Sequence, residues 1–184
     1  MLSAIRRNPD LTCLVHNNMV YGLTKGQASP TSSLGFKTSI QTRGVSSEPY
    51  NPIATAVALD CSFVGRAFSG DRDQLKEIIK KAIAHRGFAL VDIFQPCVSY
   101  NRVNTARWFK ENTYYLDDGY DPSDRVAAFA KALEHRELPL GVIYTNEKPT
   151  FEENLAPYKD GDLTPLFQRS VSLERLGSLM ASFR

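Results

Sequence analysis

The 184-residue chain predicts an α/β fold, a mostly parallel sheet with helices on both faces. Three observations carry that expectation. Short unbroken apolar runs, Leu11 to Val15 and Phe88 to Phe94, read as strands buried on both sides. A strong amphipathic helix signal immediately precedes the second run, and a helix followed by a buried strand is half of a right-handed βαβ unit. The first run ends in a polar, glycine-containing loop, Asn17 to Gln27, and open α/β sheets hold ligands just beyond the carboxyl ends of their strands.

Taken in order, residues 2 to 8 read as the end of a helix, with Arg6, Arg7 and Asn8 in its last turn and Pro9 marking the exit. The strand and loop follow. Residues 28 to 51 are rich in Ser, Thr, Gly and Pro, and so long a connection in a compact domain is expected to be functional or mobile. Pro52 fits a first helical position, and Ile53 to Leu59 continue it. Cys61 to Phe68 alternates as a strand, with Phe63, Ala67 and Phe68 inward.

Asp71 or Asp73 caps the clearest helix, which places Leu75, Ile78, Ile79, Ala82 and Ile83 on one face and stops at Gly87. The aromatics of residues 104 to 116, with Trp108, Tyr114 and Tyr115, suit a core or subunit surface. Asp121-Pro122-Ser123-Asp124 opens another helix, which runs to about Arg136, with Val126, Ala127, Phe129, Ala130 and Leu133 apolar. Leu140 to Tyr144 is a last short strand. The expected domain spans residues 1–149. A tail, 150–184, carries an amphipathic helix with Val171, Leu173, Leu176 and Leu179 on one side.

Composition excludes several classes. Apolar content of 42% builds an ordinary core. The balance of 22 basic against 20 acidic residues, dispersed along the chain, gives no nucleic-acid footprint. No run approaches the roughly 18 apolar residues of a membrane span. Three widely spaced cysteines, Cys13, Cys61 and Cys97, make no disulfide framework and no Cys-x-x-Cys pair, so the chain reads as cytoplasmic.

The loop from Asn17 to Gln27 offers two side-chain amides at a strand exit, glycines at 22 and 26 for close backbone approach, a cation at Lys25 and an aromatic at Tyr21. Read from residues alone it is either an anion site or a polar surface turn. Cys97, in Gln95-Pro96-Cys97-Val98, is either a metal-site thiolate or a structural cysteine. His85 and His135, near helix carboxyl ends, suit a cation, and no role falls to them or to His16.

Asn18 to Gln27 resembles, nearly residue for residue, the diphosphate loop of the thiamine-diphosphate-binding β subunit of 2-oxoacid:ferredoxin oxidoreductases. The resemblance continues through Gln27 to Thr31 and Gln95 to Val98 and ends near Leu140 to Tyr144. It implies the carboxyl-terminal portion of such a subunit, with the thiamine-diphosphate-binding fold. It implies thiamine diphosphate held by Asn18, Val20, Tyr21, Gly22, Leu23 and Thr24, with Mg²⁺ on the Asn18 side-chain oxygen and the Val20 main-chain oxygen. Lys25 would face the substrate carboxylate or coenzyme A phosphates, and Cys97 would be the fourth ligand of a [4Fe–4S] cluster.

The family's other three cysteines and the Asp of an upstream Gly-Asp-Gly turn have no counterpart here, and Asn17 stands where the family often has Asp. The implied reaction is coenzyme A-dependent oxidative decarboxylation of a 2-oxoacid, pyruvate or 2-oxoglutarate, with electrons passing to ferredoxin. The implied partner is an α subunit, which holds the family's catalytic glutamate. Two alternatives stand beside it: a truncated, non-catalytic remnant that only binds a partner, and a cluster-free thiamine-diphosphate decarboxylase.

Overall fold

A computed structural model of the chain describes residues 1–158, 162, 164–170 and 172–183. The chain divides into two compact units, Met1–Phe151 and Glu152–Arg184.

The first unit runs α1 (Leu2–Arg7), β1 (Leu11–Asn17), α2 (Pro52–Ala58), β2 (Phe63–Phe68), α3 (Arg72–Ala84), β3 (Phe88–Phe94), α4 (Ala106–Glu111), β4 (Thr113–Tyr115), α5 (Arg125–Ala132) and β5 (Leu138–Thr145). The five strands form one sheet in the order β1-β3-β2-β5-β4. The pairs β1–β3, β2–β3 and β4–β5 are parallel, and β2–β5 is antiparallel. The expected mostly parallel sheet is therefore present.

Both faces of the sheet are covered. Phe88 and Leu90 of β3 join Ile5, Ile53, Val57, Ala128 and Ala132 on one side. Ala89, Val91 and Ile93 join Ile78 and Ala82 of α3 on the other. This period-2 division follows from the pleat. Sequence signals at the helix ends hold as well. Asn51, Asp71, Thr105 and Asp124 each accept a backbone N–H at the start of their helix, a contribution of about 1 kcal/mol per cap.

Several expectations are corrected. The strand expected at Cys61 to Phe68 to alternate is β2, buried along its whole length because neighbours flank it and helices cover it. Ile83 points away from the core at 66% exposure, while Ile78 and Ala82 pack inward. On α5 the core-facing residues are Ala128 and Ala132. Val126, Phe129, Ala130 and Leu133 are exposed, and the helix ends at Ala132, not near Arg136. Strand β4 was not anticipated, since three residues are too few for a pattern. His85 is a poor cation: burial against Phe63, whose ring lies 5.4 Å away, lowers its pKa.

In the second unit α6 (Leu173–Ala181) is capped by Ser172, which accepts the Arg175 N–H. Leu173, Leu176 and Leu179 are exposed, and Val171 lies outside the described residues. Arg169 donates to the carbonyls of Pro157 and Thr164 and lies 4.9 Å over the Tyr158 ring. No helix of the described residues is long and apolar enough to cross a membrane.

Candidate functional site

The register of the sheet brings three strand ends together. Asn17 of β1 and Phe68 of β2 both stand opposite Phe94 of β3. The loops leaving these strands therefore emerge side by side, at the edge where parallel sheets hold ligands. Three rings support this edge. Phe94 stacks on Phe109 at 4.9 Å, and Phe109 lies 5.6 Å from Phe68.

Beneath the edge is a buried polar frame. Asp92 of β3 accepts from Arg66 of β2 at 3.1 Å and from the side-chain amide of Asn17 at 3.1 Å. Arg66 also lies 4.9 Å over the Phe94 ring. Burial pulls its pKa down and the Asp92 charge opposes this. The Asn17 side-chain oxygen accepts the Met19 N–H at 3.2 Å and the Thr31 hydroxyl at 2.8 Å. Asn17 is thus both donor and acceptor, and a carboxylate there could not donate to Asp92.

On this frame the chain bends. Met19 and Lys25 adopt left-handed backbone with φ of 56° and 66°. A bridge between Tyr21 and Gln27 closes the loop, with the Tyr21 N–H donating to the Gln27 carbonyl at 2.8 Å. Gly26 has φ 91°, and a Cβ there would come within 2.9 Å of Tyr100, so glycine is required twice over. Buried Asn101 donates to the Asn18 carbonyl at 3.1 Å, and Ser32 donates to the Met19 carbonyl at 2.6 Å.

What the loop leaves unpaired is informative. The carbonyls of Asn18, Met19, Tyr21 and Gly22 all accept hydrogen bonds, whereas that of Val20 has no partner among the described residues. Val20 is only 2% exposed, and a carbonyl is seldom left unpaired at such a position. The Asn18 side-chain oxygen accepts the Val20 N–H at 3.1 Å and keeps a second lone pair. Two neutral oxygens at one bend suit a hard cation. The N–H groups of Gly22, Leu23 and Thr24 likewise have no partner among the described residues, and successive free amides suit a phosphate.

Asn18, Val20, Tyr21, Gly22, Leu23 and Thr24 line one cleft of about 540 Å³, together with residues that include Thr31 and Tyr50. Lys25 does not line this cleft and lines a second one instead. Cys97 lines neither. It is half-buried, and a Cβ on Gly22 would lie 3.8 Å from its sulfur. The described residues contain no group of three or more His, Cys, Asp or Glu placed to hold a metal, so a cluster on Cys97 would need its other ligands from outside them. Cys13 lies within β1. Cys61 is buried, and burial pushes its thiol up to about 11.

Arg66, Asp92, Thr31 and Asn101 escaped the sequence reading. The first two carried a signal, since a charge inside each of two apolar strands demands a partner. Thr31 and Asn101 carried none, because their partners are distant in sequence.

The fold and cleft define an α/β domain with a candidate ligand loop at its strand ends. Residues 1–93 match the family model described as "Thiamine pyrophosphate enzyme, C-terminal TPP binding domain". Residues 97–160 match the family model for the C-terminal part of the pyruvate ferredoxin oxidoreductase beta subunit. The chain is 44% identical over 168 residues to a 2-oxoacid:ferredoxin oxidoreductase subunit beta of Saccharolobus solfataricus, covering 84% of this chain and 55% of that protein. It is 47% identical over 164 residues to 2-oxoacid:ferredoxin oxidoreductase 1, subunit beta, of Aeropyrum pernix, covering 82% and 52%.

A solved structure of 2-oxoglutarate:ferredoxin oxidoreductase from Magnetococcus marinus, with 2-oxoglutarate, coenzyme A and succinyl-CoA bound, superimposes with a TM-score of 0.87. It is 29% identical, covering 97% of this chain and 60% of that one. The chain belongs to the thiamine-diphosphate-binding β-subunit family of 2-oxoacid:ferredoxin oxidoreductases, and it spans about half the length of these curated relatives.

Proposed function

We propose that this chain is the thiamine-diphosphate-binding part of a β subunit that, with an α subunit, carries out coenzyme A-dependent oxidative decarboxylation of a 2-oxoacid and reduces ferredoxin. The observation that carries the reading is that Asn18, Val20, Gly22, Leu23 and Thr24 line one cleft, with the Val20 carbonyl and the N–H groups of Gly22, Leu23 and Thr24 without partners among the described residues.

Asn18 and Val20 ligate Mg²⁺ with one side-chain and one main-chain oxygen. Neither is charged, so the diphosphate supplies most of the compensating charge. The N–H groups of Gly22, Leu23 and Thr24 bind the diphosphate oxygens, and Tyr21 borders them. When bound, thiamine diphosphate supplies the electron sink for decarboxylation. Asn17, Asn101 and Ser32 hold the loop so that its donors need little reorganisation on binding. Lys25, on the neighbouring wall, binds an anionic group of the 2-oxoacid or of coenzyme A. Cys97 is the single thiolate this chain offers to a [4Fe–4S] cluster, and no step is assigned through it.

The test is co-expression with an α subunit and assay of 2-oxoacid- and coenzyme A-dependent viologen or ferredoxin reduction. Asn18→Ala is expected to lower turnover at least a hundredfold, with partial rescue by excess Mg²⁺ and thiamine diphosphate, since a positioned metal carries several kcal/mol. Full activity in that variant refutes the reading.

A further inference from the structure

The hydroxyl of Thr31 is fixed by a chain of hydrogen bonds that starts inside the sheet. Asp92, paired with Arg66, accepts from the Asn17 side-chain amide at 3.1 Å. The other end of that amide, its oxygen, meets the Met19 N–H at 3.2 Å and Thr31 Oγ1 at 2.8 Å. An amide oxygen has no hydrogen to give, so the Thr31 hydroxyl donates. Thr31 Oγ1 also lies 3.1 Å from Ser29 Oγ. With its own hydrogen spent on Asn17, Thr31 is the acceptor there and Ser29 the donor.

A hydroxyl oxygen has two lone pairs. Ser29 uses one, and the other has no partner among the described residues. Thr31 is half-buried and lines the same cleft as Asn18 and Val20. Its neighbour Ser32, only 1% exposed, donates to the Met19 carbonyl at 2.6 Å. Thr31 and Ser32 thus hold Asn17 and Met19, the residues on either side of Asn18. Beside its two neutral oxygens the cleft therefore has a hydrogen-bond acceptor that cannot become a donor without breaking its contact to Asn17.

Mg²⁺ is octahedral and usually keeps several waters, and the Asn18 and Val20 oxygens leave room for them. A metal-bound water turns its hydrogens outward, where an acceptor orients it. We propose that Thr31 accepts a hydrogen bond from a water on this metal, and that Asp92 and Asn17 are positioning residues that keep its hydroxyl turned for that contact. The inference rests on the metal–diphosphate reading above and adds Thr31 to it.

The test uses the chain assembled with its α subunit, as wild type, Thr31→Val, Thr31→Ala and Thr31→Ser. Valine keeps the shape of threonine, alanine adds no methyl in place of the hydroxyl, and serine restores the hydroxyl. Mg²⁺ is titrated by calorimetry in the presence of thiamine diphosphate. Its affinity is expected to fall about tenfold in Thr31→Val and Thr31→Ala and to return to within about twofold of wild type in Thr31→Ser. Oxygen-17 relaxation of the Mn²⁺-loaded complex then reads the exchange of metal-bound water, expected to be about three- to tenfold faster in Thr31→Val for the loss of one hydrogen bond. A residue that only props the loop would lower the affinity and leave the exchange rate unchanged, and that result overturns the proposal. So does an unchanged Mg²⁺ affinity in Thr31→Val and Thr31→Ala, which leaves the metal–diphosphate reading standing. Wild type that binds thiamine diphosphate without any need for Mg²⁺, or does not bind it, removes that reading and this inference together.

Discussion

Asn17, the last residue of β1, donates its side-chain amide to Asp92 on the neighbouring strand at 3.1 Å. Through this contact the candidate loop is anchored to the middle of the sheet. The same side chain accepts from Met19 and Thr31. Asn17→Ala removes three hydrogen bonds, one of them to a charge, and is expected to cost about 2–4 kcal/mol. Urea denaturation checks this, and a loss below about 1 kcal/mol would show that the anchor is unimportant.

Asp92 is the only carboxylate paired with Arg66 among the described residues, and both are almost fully buried. Asp92→Ala leaves an uncompensated guanidinium in the core and is expected to destabilise the chain by about 3–5 kcal/mol. Adding Arg66→Met removes the stranded charge. The double variant is expected to unfold at a higher urea concentration than Asp92→Ala alone. If it is no better, the cost comes from packing and not from charge.

His85 gives stability a pH dependence. Burial lowers its pKa from the ordinary 6.5, only partly opposed by Asp10 and Glu147. The unfolded chain therefore takes up the proton first, and stability declines as pH falls through about 6.5 and below. Between pH 7.5 and 5.5 the urea midpoint of wild type is expected to drop more than that of His85→Phe. Equal drops would assign the dependence to other groups.

The cysteines are expected to separate in reactivity. Burial pushes Cys61 up to about 11, so at pH 8 about one molecule in a thousand holds its thiolate. Cys13 and Cys97 are both partly exposed. Iodoacetamide on the native chain, read by peptide mass spectrometry, is expected to label these two and spare Cys61 until urea is added. Early labelling of Cys61 would contradict its burial.

Much of the fold was legible because local signals and tertiary needs agree. Phe88 to Phe94 read as a buried strand and is one, with the same limits. Two helix starts were announced, one by Asp71 or Asp73 and one by the stretch Asp121 to Asp124, and Asp71 and Asp124 are the caps. On α5 the sequence misled, since the bulky Val126 and Phe129 stay outside while Ala128 and Ala132 allow close approach to the sheet. Apolar size and burial are separate properties there. The loop's identity was legible in ten residues, but its mechanics were not. They depend on Thr31, Asp92 and Asn101, which meet Asn17 and Asn18 only when the chain has folded.

The central claim is that Asn18 and Val20 hold the metal of a bound diphosphate. The most direct measurement is Mg²⁺-dependent binding of thiamine diphosphate by calorimetry, on wild type and Asn18→Ala, for the chain assembled with its α subunit. The account predicts saturable binding that requires Mg²⁺ and is at least tenfold weaker in Asn18→Ala, in keeping with the loss of one metal ligand. Binding of equal strength in the two proteins, or binding indifferent to Mg²⁺, would contradict it.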